Sequence, residues 1–169
     1  MDRLILFRHG KAEPESASGD DFDRPLAPRG HEESAAMAAH LADLGFCPDV
    51  VLVSPALRTR ETWAACEPHF PRARAQVDDE LYHADSGAVR HAAAKAGALV
   101  GTVMMVGHNP GLQELTVRLL SEGSAPSSLI GRATRQFPTA AAAVFLFDAN
   151  GRPAFDGLFF PHADLGRSD

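Results

Sequence analysis

Cysteine is scarce in this chain: Cys47 and Cys66 are the only two in 169 residues. Two thiols without a CxxC spacing exclude a disulfide framework, and they read as the reduced thiols of a cytosolic protein. No apolar run reaches the roughly 18 residues that a membrane span needs. The N-terminal stretch from Met1 to Arg8 meets charge too early to be a signal peptide. Positive charge is in deficit. Lys and Arg number 16 against 22 Asp and Glu, giving a net charge of −6 and a pI near 5.7. A nucleic-acid binder needs a basic face to neutralise phosphates, so this balance argues against one. Lysine is nearly missing: only Lys11 and Lys95 occur, and the other 14 cations are Arg. A solitary Arg is therefore uninformative here, and only its placement can give it meaning.

What is present is ordinary for a globular protein, with 45% hydrophobic and 22% charged residues. The length fits one domain, 1–169, which can bury roughly 70% of its unfolded surface. Short apolar runs at Leu4–Phe7, Val50–Val53 and Thr102–Val106 predict buried strands. Between them, helical spacing predicts helices over Pro28–Leu44, from Ser54-Pro55 to about Cys66, near Ala88–Ala96, and onward from Asn109-Pro110. The last carries Leu112, Leu115, Leu119 and Leu120 on one face. Ser54 before Pro55 reads as an N-cap followed by a first-turn proline. Leu81–Ala88 fits neither pattern. Glu13–Pro25 and Glu122–Pro138 read as loops, rich in polar and turn residues. Ala141–Phe147 and Ala154–Phe160 flank Asn150-Gly151 and predict a closing hairpin. Strands alternating with helices predict an α/β fold, a three-layer α/β/α sandwich around a mostly parallel sheet.

In such sheets, ligands sit beyond the carboxyl ends of the strands. The first strand ends in Arg8-His9-Gly10. The second ends in Ser54-Pro55, with Arg58 one turn on. The third ends in Gly107-His108-Asn109-Pro110. Each residue alone is a cap, a turn or a solvated charge. Together they bring two His, two Arg and two helix N-termini to one edge, and that combination suits a phosphate. No HExxH and no Cys/His zinc spacing occurs, so no metal site is expected.

RHG, SPxxR and GHNP, in this order and at these intervals, resemble the histidine phosphatase (phosphoglycerate mutase-like) superfamily. The likeness runs from Leu4 to about Phe147. Arg24-Pro25-Leu26 with Gly30 is similar to the family's lead into its first helix. Ala27 departs from that pattern, because the family often carries Thr or Ser there. A lost cap costs about 1 kcal/mol of helix stability. The short length resembles the SixA-like phosphohistidine phosphatase branch. Mutases and acid phosphatases usually carry larger insertions that form a lid, and only 24 residues separate His83 from His108.

The resemblance implies a metal-free phosphatase needing no cofactor. His9 would be the nucleophile, attacking as neutral imidazole while its other ring nitrogen donates to a fixed acceptor. Arg8, Arg58 and His108 would hold the equatorial oxygens, with Arg24 and Asn109 as further phosphate ligands. Glu80 stands where the family often has a general acid, and it equally fits the acidic surface run Asp78-Asp79-Glu80. Arg132 and Arg135 read as solvated charge or as a rim that meets an acidic partner. The implied substrate is phosphohistidine on a phosphorylated protein such as a phosphotransfer domain. The alternatives are a small phosphate ester, mutase chemistry, or a module that only binds phosphate. Neither nucleic acid nor membrane is an expected partner.

Overall fold

Leu4, Ile5, Leu6 and Phe7 are all buried, yet they divide between two cores. In the computed structural model, which describes residues 1–165, they form β1 (Arg3–Arg8). Leu4 and Leu6 point into one cluster with Leu112, Leu115 and Leu119. Ile5 and Phe7 point into the other with Met37, Leu41 and Trp63. Strand side chains alternate faces, so an unbroken apolar run is what a strand covered on both faces requires. Each such side chain contributes about 1.5–3 kcal/mol on full burial.

The remaining strands are β2 (Val50–Val53), β3 (Arg74–Val77), β4 (Thr102–Gly107), β5 (Ala142–Phe147) and β6 (Pro153–Phe159). They form one sheet in the order β3-β2-β4-β1-β5-β6. The β3, β2, β4 and β1 run is parallel, and β5 and β6 are antiparallel to their neighbours. One face carries α1 (Pro28–Asp43) and α2 (Leu57–Cys66). The other carries α3 (Ser86–Ala96), α4 (Gly111–Glu122) and α5 (Ser127–Arg135). A short α6 (Pro161–Asp164) follows β6. This is the expected α/β/α sandwich, with the expected hairpin closing its sheet. Gly151 in the hairpin turn has φ +77°, which only glycine adopts without strain.

Three local readings are corrected, and one strand that sequence reading left out is added. The segment 122–138 contains α5, whose Leu129, Ile130 and Ala133 pack on the α4 side of the sheet. β3 has exposed residues throughout and therefore shows no apolar run. Helix α2 starts at Leu57 after Ala56, so Ser54 does not cap it. Helix α4 starts at Gly111 rather than at Asn109-Pro110. The ambiguous stretch resolves into a 3-10 turn over Asp79–Leu81 and an α3 capped by the Asp85 carboxylate. Ala27 precedes α1 with no side-chain cap, as its identity requires.

Candidate active site

β1 and β4 are adjacent and parallel, with Arg8 paired to Gly107. Their ends therefore place His9 beside His108. The two ring centroids are 5.3 Å apart, within reach of one tetrahedral oxyanion. Between and around them a cleft of about 290 Å³ is lined by Arg8, His9, Lys11, Ala12, Arg24, Arg58, His108, Asn109 and Thr139. Among the described residues, larger hollows lie beside Glu80 and His91 and beside Gln113 and Arg118, and neither gathers this chemistry.

His9 is 8% exposed. Its Nδ1 lies 2.7 Å from the Gly10 carbonyl oxygen. A carbonyl only accepts, so Nδ1 carries the proton and Nε2 keeps its lone pair. Burial holds the ring pKa down to about 4; the Gly10 carbonyl opposes this, while Arg8, Arg58 and Arg24 reinforce it. At neutral pH His9 is thus a neutral imidazole of defined tautomer, with the Nε2 lone pair free.

His108 is held differently. Its Nε2 lies 2.7 Å from the Ser54 hydroxyl. The serine that sequence reading places on a helix end is instead spent on a site histidine. Its Nδ1 is buried and unpaired among the described residues. Burial lowers the His108 pKa to about 3, followed by repulsion from His9 and Arg58, with Asp21 opposing.

Arg8 donates from Nη1 to the Phe137 carbonyl at 3.0 Å, and Asn109 donates from Nδ2 to the same oxygen at 2.9 Å. One carbonyl therefore orients two residues of the cleft. Arg8 Nε and Asn109 Oδ1 stay buried without partners among the described residues. Burial and the neighbouring Arg58 depress the Arg8 pKa, the signature of two guanidiniums facing one gap. An anion between them relieves that repulsion.

The backbone beneath is packed without slack. A Cβ on Gly10 would lie 2.5 Å from the Gly30 carbonyl oxygen, and one on Gly30 would collide with the Lys11 backbone. Glycine at both positions lets the first turn of α1 rest on the RHG loop. On the other side, the Ala140 N–H donates to both Arg8 and His9 carbonyls, at 3.1 and 2.9 Å. Ala140 has φ 59°, a left-handed conformation that costs a non-glycine residue about 1 kcal/mol.

Of the residues named from sequence, Arg8, His9, Arg24, Arg58, His108 and Asn109 all line this cleft. Glu80 does not. It is exposed, and it faces a separate hollow lined by Leu52, Gln76, His91 and Lys95. Arg132 is drawn away to Asp164 and the Phe160 ring, and exposed Arg135 lies outside the lining. Sequence reading overlooked Lys11 and Thr139 in the lining, although Lys11 directly follows RHG. It also overlooked Asp21. The Asp21 carboxylate accepts from Arg58 at 3.1 Å, Arg24 at 2.9 Å and the Tyr82 hydroxyl at 2.6 Å. Its carbonyl takes a further bond from Arg58 at 2.9 Å. The Tyr82 hydrogen bond, ahead of the two arginines, holds its pKa well below the usual carboxylate range. An acidic run in a loop gave no sign of this.

The model of the histidine phosphatase superfamily (branch 1) matches residues 4–98. The chain belongs to this superfamily. SixA from Agrobacterium tumefaciens, named as a candidate phosphohistidine phosphatase, is 31% identical and covers 95% of this chain and 98% of its own, at a TM-score of 0.82. The protein histidine phosphatase SixA, solved in complex with tungstate, is 28% identical, covering 94% of this chain and 97% of its own at a TM-score of 0.76. A Mycobacterium tuberculosis protein without an assigned activity is 35% identical over 138 residues, 81% of this chain and 84% of that protein. This histidine phosphatase is of the SixA-like branch, and its activity class is phosphatase. The second histidine of the cleft lies beyond the segment that the family model matches. Its place rests on the β1–β4 pairing.

Proposed function

We propose that this phosphatase hydrolyses phosphohistidine on a partner protein through a covalent phosphohistidine on His9. The observation that carries this reading is the fixed tautomer of His9, whose free Nε2 stands among Arg8, Arg58 and His108. The Nε2 lone pair forms a bond to phosphorus. The bond from phosphorus to the leaving group breaks and its electron pair leaves with that group. Arg8, Arg58, His108 and Asn109 carry the charge spread over the equatorial oxygens. Water then attacks phosphorus, the P–Nε2 bond breaks, and its pair returns to His9. The water proton ends on phosphate. The cationic side chains do the electrostatic work, with neither metal nor cofactor in the cycle.

The leaving group decides between substrates. Among the described residues no carboxyl group lines the cleft, and Asp21 beside it is held ionised. An alkoxide therefore finds no acid there to protonate it. The imidazole of phosphohistidine brings its own proton on the distal nitrogen and leaves as a neutral ring. Tungstate, which a SixA relative is solved with, is a tetrahedral oxyanion of the kind this cationic cleft suits. The protein partner and cytoplasmic residence extend the reading from the SixA likeness, and the free thiols Cys47 and Cys66 accord with a reducing compartment.

The test is a panel of a phosphorylated phosphotransfer domain, a phosphorylated sugar, a phosphoglycerate and an aryl phosphate, compared by kcat/KM. The phosphohistidine protein is expected to lead. Substrate should leave an acid-labile phosphate on His9, and His9→Ala should stop turnover in a folded protein. A preference for the esters, or label on Ser54, overturns the reading.

A further inference from the structure

Phe22 is 36% exposed in a loop that is otherwise polar, and core packing does not explain it. Its ring meets Tyr82 edge-on at 5.1 Å, and Tyr82 meets His108 edge-on at 5.7 Å. An aromatic path thus leads from a site histidine outward to solvent. Asp21 lies along the same path, bonded to Tyr82 on one side and to Arg58 and Arg24 on the other. The segment is held in place by its own bonds. Ser18 Oγ donates to the Asp23 carboxylate at 2.6 Å, Ser16 Oγ to the Asp20 carbonyl at 2.7 Å, and Arg24 Nε to the Glu13 carbonyl at 2.8 Å. A rim ordered in this way costs little to use in binding.

Resting on the reading above, we propose that Asp21, Phe22 and Tyr82 form the leaving-group subsite and read the ring that departs. The two halves of the rim match the two properties of a protonated phosphohistidine ring. Phe22 and Tyr82 offer aromatic faces to a flat ring. The Asp21 carboxylate has lone-pair capacity beyond its three donors and attracts an imidazolium N–H. By keeping the distal ring nitrogen protonated, Asp21 raises the fraction of substrate whose P–N bond breaks to give neutral imidazole. The same charge disfavours a leaving group that gathers negative charge. The distal proton stays on the departing ring, and the P–N electron pair settles on the nitrogen released.

Three small probes separate ring from charge. Free N-phosphohistidine has both, phosphoramidate has a protonated nitrogen without a ring, and acetyl phosphate has neither. All three leave readily without an acid, and none needs protein docking. Each kcat/KM is divided by that for acetyl phosphate, so any loss transmitted through Arg58 cancels. Asp21→Asn is expected to lower both the phosphohistidine and phosphoramidate ratios about tenfold. Phe22→Ala is expected to lower the phosphohistidine ratio about fivefold and to leave the phosphoramidate ratio within twofold. Among the described residues no arginine stacks on the Phe22 ring and its side chain takes no part in the Asp21–Arg58 bonds, so its variant stays readable if Asp21→Asn disturbs Arg58. A wild type that turns over phosphohistidine, with ratios unmoved in both variants, overturns the rim alone. A wild type inert on phosphohistidine overturns the rim together with the functional reading beneath it.

Discussion

An imidazole attacks phosphorus only through an unprotonated nitrogen, so under the mechanism proposed above the protonation of His9 bears on activity as well as on stability. Burial keeps the folded ring neutral down to about pH 4, while the unfolded ring titrates near 6.5. Between those values the unfolded chain binds a proton that the folded one refuses. Stability therefore falls as pH drops through this window, by about 3 kcal/mol from His9, and levels off below it. His9→Gln has no such proton to refuse. Its unfolding free energy in urea should fall less than that of the wild type from pH 6.5 to 4, and parallel curves would remove the argument. Ser54 gives a second test at this scale. As a helix cap its loss would cost helix stability and spare turnover. As the partner of His108 Nε2, Ser54→Ala should cut kcat/KM about tenfold, because one buried ring nitrogen loses its bond. Unchanged kinetics with a lower Tm would restore the capping role. RHG and GHNP led to the two histidines that the structure brings together, whereas the hydroxyl beside the second strand can either cap a helix or meet a ring nitrogen. Only the approach of β2 to β4 decides between them.

Elements were legible where burial imposes a pattern. β1, β2 and β4 are covered on both faces, so their sequences are continuous apolar runs that local reading finds. β3 sits at the sheet edge with all its residues exposed, so Arg-Ala-Gln-Val carries no such mark. Helix α5 buries only Ala133 fully, and its Ser and Gly content behind Pro126 at the N-cap disguised it as a loop. The Asp21–Tyr82 bond joins residues 61 apart, a distance that no local pattern spans. What the elements do for the site is set by their closeness. Helix α1 reaches the RHG loop because Gly30 and Gly10 have no side chains. Gly30→Ala drives a methyl into backbone, which has no rotamer to yield. About 2 kcal/mol of stability should be lost, and the loop carrying His9 should shift. Chemical denaturation together with kcat/KM reads both effects. A stable, fully active variant would show that α1 does not hold the loop.

Across the whole molecule, charge is distributed against its own sum. The chain carries −6, yet its cleft gathers Arg8, Lys11, Arg24 and Arg58, with Asp21 tied to two of them at the edge. Arg8 and Arg58 repel each other in the absence of an anion, so part of the folding free energy is spent holding them together. A bound oxyanion relieves that repulsion and binds only the folded state, so stability must rise with anion concentration. At a hundredfold excess over Kd, orthophosphate or tungstate should add about 2.7 kcal/mol, which moves Tm by about 5–10 °C for a chain of this length. Arg58→Gln weakens the relief and should shrink the shift, whereas a surface change such as Arg118→Gln, remote from the cleft lining, should not. Adding EDTA should alter neither the shift nor turnover, because in the proposed mechanism side-chain cations do the work a divalent ion would otherwise do. A shift or a turnover that vanishes with EDTA and returns with a divalent ion would show that the guanidiniums and imidazoles are not sufficient to hold the phosphoryl group.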